Sequence, residues 1–318
     1  MILQNCVLIL GAGASIPYGI PRKGLSFRDA ILEAAGRSES RYRSSVHAFC
    51  EQFGQLGYSI DRFLAECSRR ESTRTVEAKK LIEIGKAAIV KALLPCESPD
   101  SVQHGWYDDL VNALTSRFPA GTKKRLPIIT FNYDRSLEYH LMRSLGAIYD
   151  KADLDVQAMN ELVEITHVYG QLGDLPEILG REEGAVPYGS KNPATIPHAV
   201  SAVRVVGERT EEAHINRIRE RLRVPGALVF IGFGFLPENM ELLNLQAVDA
   251  QTPVFASGYN LSDGMRRTLV NIHPHLRWHF GDIGDDASAF LNASNIFGLL
   301  SQPKPELLHK VLQFLKPG

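Results

Sequence analysis

The sequence predicts an α/β protein in which a mainly parallel, Rossmann-like sheet carries helices on both faces. Short apolar runs recur along the chain, amphipathic helical stretches lie between most of them, and a glycine-rich turn follows the first run. Parallel strands are buried on both faces and are joined by helical crossovers, so this alternation is typical of them. The predicted strands span residues 7–10, 127–130, 163–168, 228–231 and 254–256.

Composition places the chain among large globular proteins. Its 318 residues are 44% hydrophobic and 22% charged, and the net charge of −1 gives no reason to expect a nucleic-acid partner. No apolar run approaches the roughly 20 residues that cross a bilayer, so we expect a cytoplasmic protein without a membrane partner. The four cysteines form no C-x-x-C pair, and we expect neither a metal nor a disulfide framework.

A helical interval separates the first two predicted strands. It is about a hundred residues long, whereas a simple crossover needs only about a dozen. We therefore predict a helical insertion module at 25–119 within a discontinuous sheet domain at 1–24 and 120–318. The apolar periodicity predicts helices at 27–35, 42–53, 60–69 and 75–94.

Two further segments have a distinctive composition. Residues 174–202 are rich in proline and glycine, which predicts a long loop with a functional role such as a lid. Residues 305–315 predict a closing helix.

The glycine-rich turn after the first strand has the sequence Gly-Ala-Gly-Ala-Ser at residues 11–15. Glycine lets backbone amides approach a pyrophosphate, although tight turns also need glycine for structural reasons alone. Ile16 replaces the third glycine of the dehydrogenase fingerprint, which disfavours a hydride-transfer enzyme.

The turn continues as Ile-Pro-Tyr-Gly-Ile-Pro, and the whole run resembles the nucleotide-binding signature of the SIR2, or sirtuin, family. The resemblance implies that this segment binds NAD⁺. The implied contact residues are Gly11, Ala12, Gly13, Ala14, Ser15, Ile20 and Pro21.

A second motif, Thr-Phe-Asn-Tyr-Asp, ends the second predicted strand and resembles the T-x-N-x-D motif of the same family. The resemblance implies that Asn132 engages the nicotinamide ribose and a water, that Asp134 supports the nicotinamide pocket, and that Thr130 and Phe131 contact NAD⁺. Strand alternation puts Asn132 and Asp134 on one side. The alternative is that both side chains cap the following helix.

A third motif, Thr-His-Val-Tyr-Gly, ends the third predicted strand. The family usually places its catalytic histidine immediately before this glycine, where Tyr169 stands here. We expect His167 and Tyr169 to face the same way, with His167 as general base and Tyr169 as a hydrogen-bond donor. A purely structural role for His167 is the alternative.

Later turns resemble the part of the family that holds the adenosine of the dinucleotide. The residues implied as contacts are Gly232, Gly234, Phe235, Ser257 and Asn260. Residues 59–64, Ser-Ile-Asp-Arg-Phe-Leu, form a pattern of bacterial SIR2-like effectors, which we interpret as a helix N-terminus.

The chain lacks the zinc module of sirtuin deacylases, and Phe131 replaces their glutamine. It resembles instead the divergent SIR2-like proteins of bacterial anti-phage systems, which implies hydrolysis of NAD⁺ to nicotinamide and ADP-ribose. It also implies control by homo-oligomerisation or by a partner such as a HerA-like ATPase or an Argonaute-type protein. The alternatives are a non-catalytic module that binds NAD⁺ or ADP-ribose, and a deacylase or ADP-ribosyltransferase.

Overall fold

The computed structural model describes ten segments of the chain. Pro21 and the helix predicted at 305–315 lie outside them. Within these segments, no helix has the length and apolar character required to cross a membrane. The described residues are 6–20, 26–36, 43–55, 59–71, 76–102, 105–117, 125–149, 155–205, 211–294 and 296–297.

Six parallel strands form one sheet, in the order β3-β2-β1-β4-β5-β6. The predicted α/β, Rossmann-like fold is confirmed, and the five predicted strands are present. The sixth strand was missed because Arg-Trp-His-Phe, half-buried at the sheet edge, has no β-branched residue. The strands are β1 Cys6–Leu10, β2 Leu126–Thr130, β3 Val163–His167, β4 Ala227–Ile231, β5 Pro253–Ala256 and β6 Arg277–Phe280.

Helices occupy most of the described connections. The ten described segments also contain five short 3₁₀ turns, at Ala12–Ala14, Ile16–Tyr18, Leu94–Cys96, Pro193–Thr195 and Leu245–Ala247. The described α-helices are α1 Phe27–Gly36, α2 Arg43–Gln55, α3 Ile60–Glu71, α4 Val76–Leu93, α5 Trp106–Arg117, α6 Ser136–Ile148, α7 Val156–Leu162, α8 Pro176–Leu179, α9 Ile196–Ala202, α10 Glu211–Arg221, α11 Pro237–Leu243, α12 Asp263–Ile272 and α13 Ala287–Ser294.

The sheet separates two hydrophobic cores. Val7 and Ile9 of β1 point into the core formed with α1–α4 and α9–α12. Cys6 and Leu8 point into the other core, with α5–α7 and α13, as strand alternation requires. Although residues 25–119 were predicted as one module, α5 packs with α6 and α13 and so lies on the face opposite α1–α4.

The proline- and glycine-rich stretch is closed at its base. Gly170 and Val203 form an isolated antiparallel bridge, and the amide of Arg204 donates to the Tyr169 carbonyl at 2.9 Å. Inside this closure, the stretch contains α8, one 3₁₀ turn and α9. The predicted long loop is therefore partly helical, with its two ends joined.

Candidate functional site

The turns that follow β1 and β4 pack directly against each other at the carboxyl edge of the sheet. The amides of Gly11 and Gly13 donate to the carbonyls of Ile231 and Gly232, at 3.0 and 2.9 Å. A Cβ atom on Gly11 would lie 2.6 Å from Gly232 O, and one on Gly13 would lie 2.7 Å from Gly232 Cα. These glycines are therefore required by the close contact of two backbones.

This packing limits how the first turn can bind a phosphate. The amides of Ala14 and Ser15 donate to carbonyls within the turn, so four of its five amides are used inside the protein. Ala12 is exposed, and its amide donates to no backbone oxygen among the described residues. Two 3₁₀ turns follow instead of an α-helix, so no helix dipole supports the expected pyrophosphate contact.

Asn132 joins β2 to the glycine-rich turn. Its Nδ2 donates to the Gly11 carbonyl at 3.0 Å and to Ser15 Oγ at 2.9 Å. Its main-chain amide donates to Thr130 Oγ1 at 3.1 Å, which holds the chain as it leaves the strand. Because both Nδ2 protons are used, Oδ1 is the atom of this buried amide left to accept a bond from a ligand, and no described residue donates to it.

Ser15 connects Asn132 to a buried carboxyl group. Its hydroxyl oxygen accepts Asn132 Nδ2 at 2.9 Å, and hydrogen bonding to Ser15 opposes the rise in pKa that burial causes at Asp134 and Tyr107. Burial raises the pKa of Asp134 to about 6, against hydrogen bonds from Ser136 and Ser15, and the charge of Glu97 raises it further. Asn132 and Asp134 thus meet on one side of the chain, as the alternation predicts. Asp134 also accepts the Ser136 amide at 3.3 Å at the start of α6.

His167 lies at the end of β3, with both ring nitrogens close to acceptors. Nδ1 is 2.8 Å from the Asn132 carbonyl oxygen, and Nε2 is 2.5 Å from Glu138 Oε1. The side chains of His167 and Glu138 are only 9% and 5% exposed. Burial lowers the pKa of His167, but the charge and hydrogen bond of Glu138 outweigh it, so that the pKa is raised.

Tyr169 does not face the same way as His167, contrary to the prediction. Its hydroxyl donates to Asn239 Oδ1 at 2.6 Å in the core that contains α11, whereas His167 contacts Glu138 on α6. The reason is that β3 ends at His167, and the next two residues lie in a turn where strand alternation no longer applies.

Aromatic side chains fill the space beside the glycine-rich turn. Phe131 packs edge-on against Phe233 and Tyr169, with ring centroids 5.0 and 5.7 Å apart. Phe233 also packs against Phe235. A Cβ on Gly11 would lie 3.1 Å from the Phe233 ring. Phe131 and Phe233 are each 7% exposed. These rings form an apolar cluster beside the glycine-rich turn.

The residues expected around the adenosine lie around the β4 and β5 turns. Ser257 Oγ accepts the Gly232 amide at 2.8 Å, so this serine fixes the turn that supports Gly11 and Gly13. Gly234 is exposed, whereas Phe235 is buried. Asn260 is exposed and lies beyond β5, with its amide bonded to Ile283 O at 3.2 Å.

Sequence reasoning missed a buried ion pair behind Asp134. Arg135 and Glu97 form a two-point contact, with Nε 3.1 Å from Oε1 and Nη2 bonded to Oε2. The guanidinium also donates to the carbonyls of Gly173, at 3.1 Å, and Val186. Both charged side chains are at most 1% exposed. Arg135 thereby ties the segment that carries Asn132 to the proline- and glycine-rich stretch.

The Ser59–Leu64 pattern lies at the start of α3 and contacts the same edge of the sheet. Tyr133 donates a hydrogen bond to Asp61 Oδ1, and Ser59 donates to Glu238 Oε1 at 2.6 Å. Burial raises the pKa of Asp61 to about 6, against the hydrogen bond from Tyr133. The helix N-terminus predicted here is present and fastens the helical layer to the β2 and β4 turns.

The structure brings together the turns after β1, β2 and β4 with the end of β3. Ile20 is buried beside the first turn, and its amide bonds to Ser15 O at 3.3 Å. Within the described segments, no cluster of His, Cys, Asp and Glu could hold a metal ion. No known family model matches the chain, and no curated protein matches it. The fold and the site therefore define a Rossmann-like α/β protein whose family they leave open.

Proposed function

We propose that the chain binds NAD⁺ and hydrolyses its nicotinamide–ribose bond, as a SIR2-like NAD⁺ glycohydrolase. The proposal rests above all on Asn132. Its Nδ2 is held between Gly11 O and Ser15 Oγ, so that Oδ1 is fixed and free to accept a hydrogen bond. A pre-oriented acceptor at this position suits a ribose hydroxyl or an attacking water.

The proposed reaction uses the buried carboxyl group linked to Asn132. The bond between ribose C1′ and the nicotinamide nitrogen breaks, and its electron pair neutralises the pyridinium ring. Water oxygen then bonds to C1′, and the proton it loses passes to Asp134. A carboxylate with a pKa of about 6 is ionised at neutral pH and still basic enough to accept that proton.

Neighbouring groups would assist binding. The rings of Phe131 and Phe233 would exclude bulk water from the positively charged ribose intermediate. The exposed Ala12 amide remains to donate to the pyrophosphate. Ser257 and Asn260 would lie along the adenosine half, as the resemblance implies.

The direct test follows nicotinamide and ADP-ribose after purified protein is mixed with NAD⁺. We expect Asn132→Ala to lower kcat/KM by about 100-fold or more, the size of effect seen when an aligned polar group is removed from an active site. Asn271→Ala, at an exposed position of α12, is the matched control and should stay within about twofold of the parent. Equal turnover by Asn132→Ala would overturn the proposal.

An unregulated NAD⁺ hydrolase would deplete its own cell. We therefore also propose control by self-association or by a partner chain, such as a HerA-like ATPase or an Argonaute-type protein. The assay should cover a wide range of protein concentrations, because control by self-association predicts a specific activity that rises with concentration.

A second function is favoured by one observation. Both ring nitrogens of His167 already contact acceptors within the protein, as suits a module that binds NAD⁺ or ADP-ribose without cleaving it. Calorimetric titration with NAD⁺ and with ADP-ribose separates the two functions. Tight binding of both ligands without nicotinamide release would favour the binding module.

A further inference from the structure

His167 occupies a position between two acceptors that cannot both be satisfied by a neutral ring. The Asn132 carbonyl oxygen accepts only, and so does the Glu138 carboxylate when it is ionised. A neutral imidazole carries one N–H, whereas an imidazolium ion carries two. While Glu138 is ionised, a ring that bonds to both partners must therefore be protonated.

Loss of that proton would turn one attraction into a repulsion. If the remaining proton stays on Nδ1, the Nε2 lone pair faces Glu138 Oε1 at 2.5 Å. If it moves to Nε2, the Nδ1 lone pair faces the Asn132 carbonyl at 2.8 Å. Because the ring is only 9% exposed, water does little to relieve either contact.

Three titratable groups, from α6, from the segment after β2 and from α10, surround His167 among the described residues. Glu138 faces it from α6, and Asp134 acts on it from the segment after β2. From α10, His214 Nε2 donates to the His167 carbonyl at 3.0 Å, and burial lowers the pKa of His214. The two carboxyl groups favour the imidazolium form, and His214 contacts the main chain of His167.

We propose that His167 is a positioning residue: as an imidazolium ion paired with Glu138, it holds the main-chain carbonyl of Asn132 and does not accept a proton from the substrate. This inference rests on the proposed function for its link to catalysis. It replaces the general-base role expected from the sequence, because neither ring nitrogen has a lone pair to offer while both bonds are made.

The two roles predict opposite responses to pH. A general base works when it is neutral, so activity would rise with pH through the pKa of His167. A charged positioning group works when it is protonated, so activity would fall as pH rises through the same pKa. The proton acceptor Asp134 separately governs the acid side of the profile.

The first measurement determines the charge of His167 without using activity. Nitrogen-15 shifts of the full chain, with the resonance assigned by its loss in His167→Asn, report whether each ring nitrogen is protonated. We expect both to be protonated at pH 7.5 and the pKa to lie above that of a free histidine. A neutral ring at pH 7.5 would overturn the inference.

The second measurement is the pH profile of kcat/KM for nicotinamide release. We expect the alkaline limb to coincide with the pKa of His167, and Glu138→Gln to move that limb to lower pH by about one unit or more, because the neighbouring charge is lost. Glu164→Gln is the matched control, since this exposed carboxyl group lies on the same strand and should leave the profile unchanged.

The outcomes separate the inference from the function on which it rests. Activity that rises as His167 loses its proton would overturn the positioning role while supporting NAD⁺ hydrolysis. A doubly protonated His167 in a chain that neither binds NAD⁺ nor releases nicotinamide at any pH would overturn the proposed function and still support the charged hydrogen bonds to Asn132.

Discussion

Gly232 and Ala14 lie in contact where the β4 turn crosses the glycine-rich turn. A Cβ atom on Gly232 would be 2.1 Å from the backbone nitrogen of Ala14, and the φ angle of Gly232 is +59°. Both the space and the backbone conformation therefore require glycine here. The close contact between the β4 turn and the glycine-rich turn depends on Gly232. The glycine-rich turn carries Gly11 and Ser15, which accept the hydrogen bonds of Asn132.

Gly232→Ala should strongly destabilise the protein. The clash is with backbone atoms that cannot rotate away, so we expect a loss on the order of 3 kcal/mol or more in the free energy of unfolding. Gly234→Ala is the control, because nothing lies near its Cβ position and its φ is not positive. Urea unfolding measures both, and equal midpoints would contradict the described contact.

Removing either charge of the Arg135–Glu97 pair should also destabilise the fold. Both side chains are fully buried, so Arg135→Met or Glu97→Gln should cost about 3–5 kcal/mol by leaving a charge without its partner. The double variant Arg135→Met with Glu97→Gln should cost less than the sum of the two single changes. Urea unfolding of all three variants gives the coupling energy.

An exposed ion pair provides the comparison for this result. Arg221 contacts Glu164 at 2.7 Å, but the two side chains are 54% and 38% exposed. Arg221→Met should therefore change the free energy of unfolding by less than about 1 kcal/mol. If Arg221→Met and Arg135→Met lowered the free energy of unfolding by similar amounts, burial would not determine how much each ion pair contributes.

The carboxyl group of Asp61 should make stability depend on pH. Its pKa is about 6 in the folded chain and about 3.9 when unfolded, so folding binds a proton between these values. The resulting destabilisation is absent below the unfolded pKa and complete above pH 6. Asp61→Asn should thus gain on the order of 2 kcal/mol relative to the parent between pH 4 and pH 7.5.

Urea unfolding of the parent and of Asp61→Asn at several pH values measures that difference in free energy of unfolding. The contributions of the other titrating groups are the same in both proteins and cancel in the difference. Asp100→Asn, at an exposed position, should show no comparable change with pH. An Asp61→Asn curve parallel to that of the parent would contradict the raised pKa.

The hydrogen bond from Tyr169 to Asn239 gives a further prediction. Tyr169→Phe removes the donor to a buried amide oxygen and should cost about 1–3 kcal/mol of unfolding free energy. Tyr259→Phe, at a side chain 59% exposed, should change stability by less than about 0.5 kcal/mol. Thermal unfolding compares them, and a Tyr169→Phe protein of full stability would exclude the bond as a significant contribution.

Local patterns predicted most of the fold. Each of α1–α4 begins and ends within two residues of the helix predicted for it, because each has a continuous apolar stripe. The predicted ranges were 27–35, 42–53, 60–69 and 75–94. The packing of α5 against α6 could not be predicted, since an amphipathic helix does not specify which face of a sheet it covers. The face that α5 covers depends on the path of the entire connection between β1 and β2.

The candidate site was predicted where a motif and strand geometry agree. Asn132 and Asp134 both approach the side chain of Ser15 and so share a side, whereas Tyr169 turns away because β3 ends two residues before it. The contacts of His167 with Glu138 and of Arg135 with Glu97 leave no local pattern. They depend on residues brought together only by the folded chain.

The central position of β1 has a consequence for how the chain is made. Its two neighbours in the sheet, Leu126–Thr130 and Ala227–Ile231, leave the ribosome long after Cys6–Leu10. Until then a fully apolar strand has both edges unpaired, and such segments associate readily with other chains. Newly synthesised protein therefore needs the early helices, or a chaperone, to shelter its first strand before the sheet can close around it.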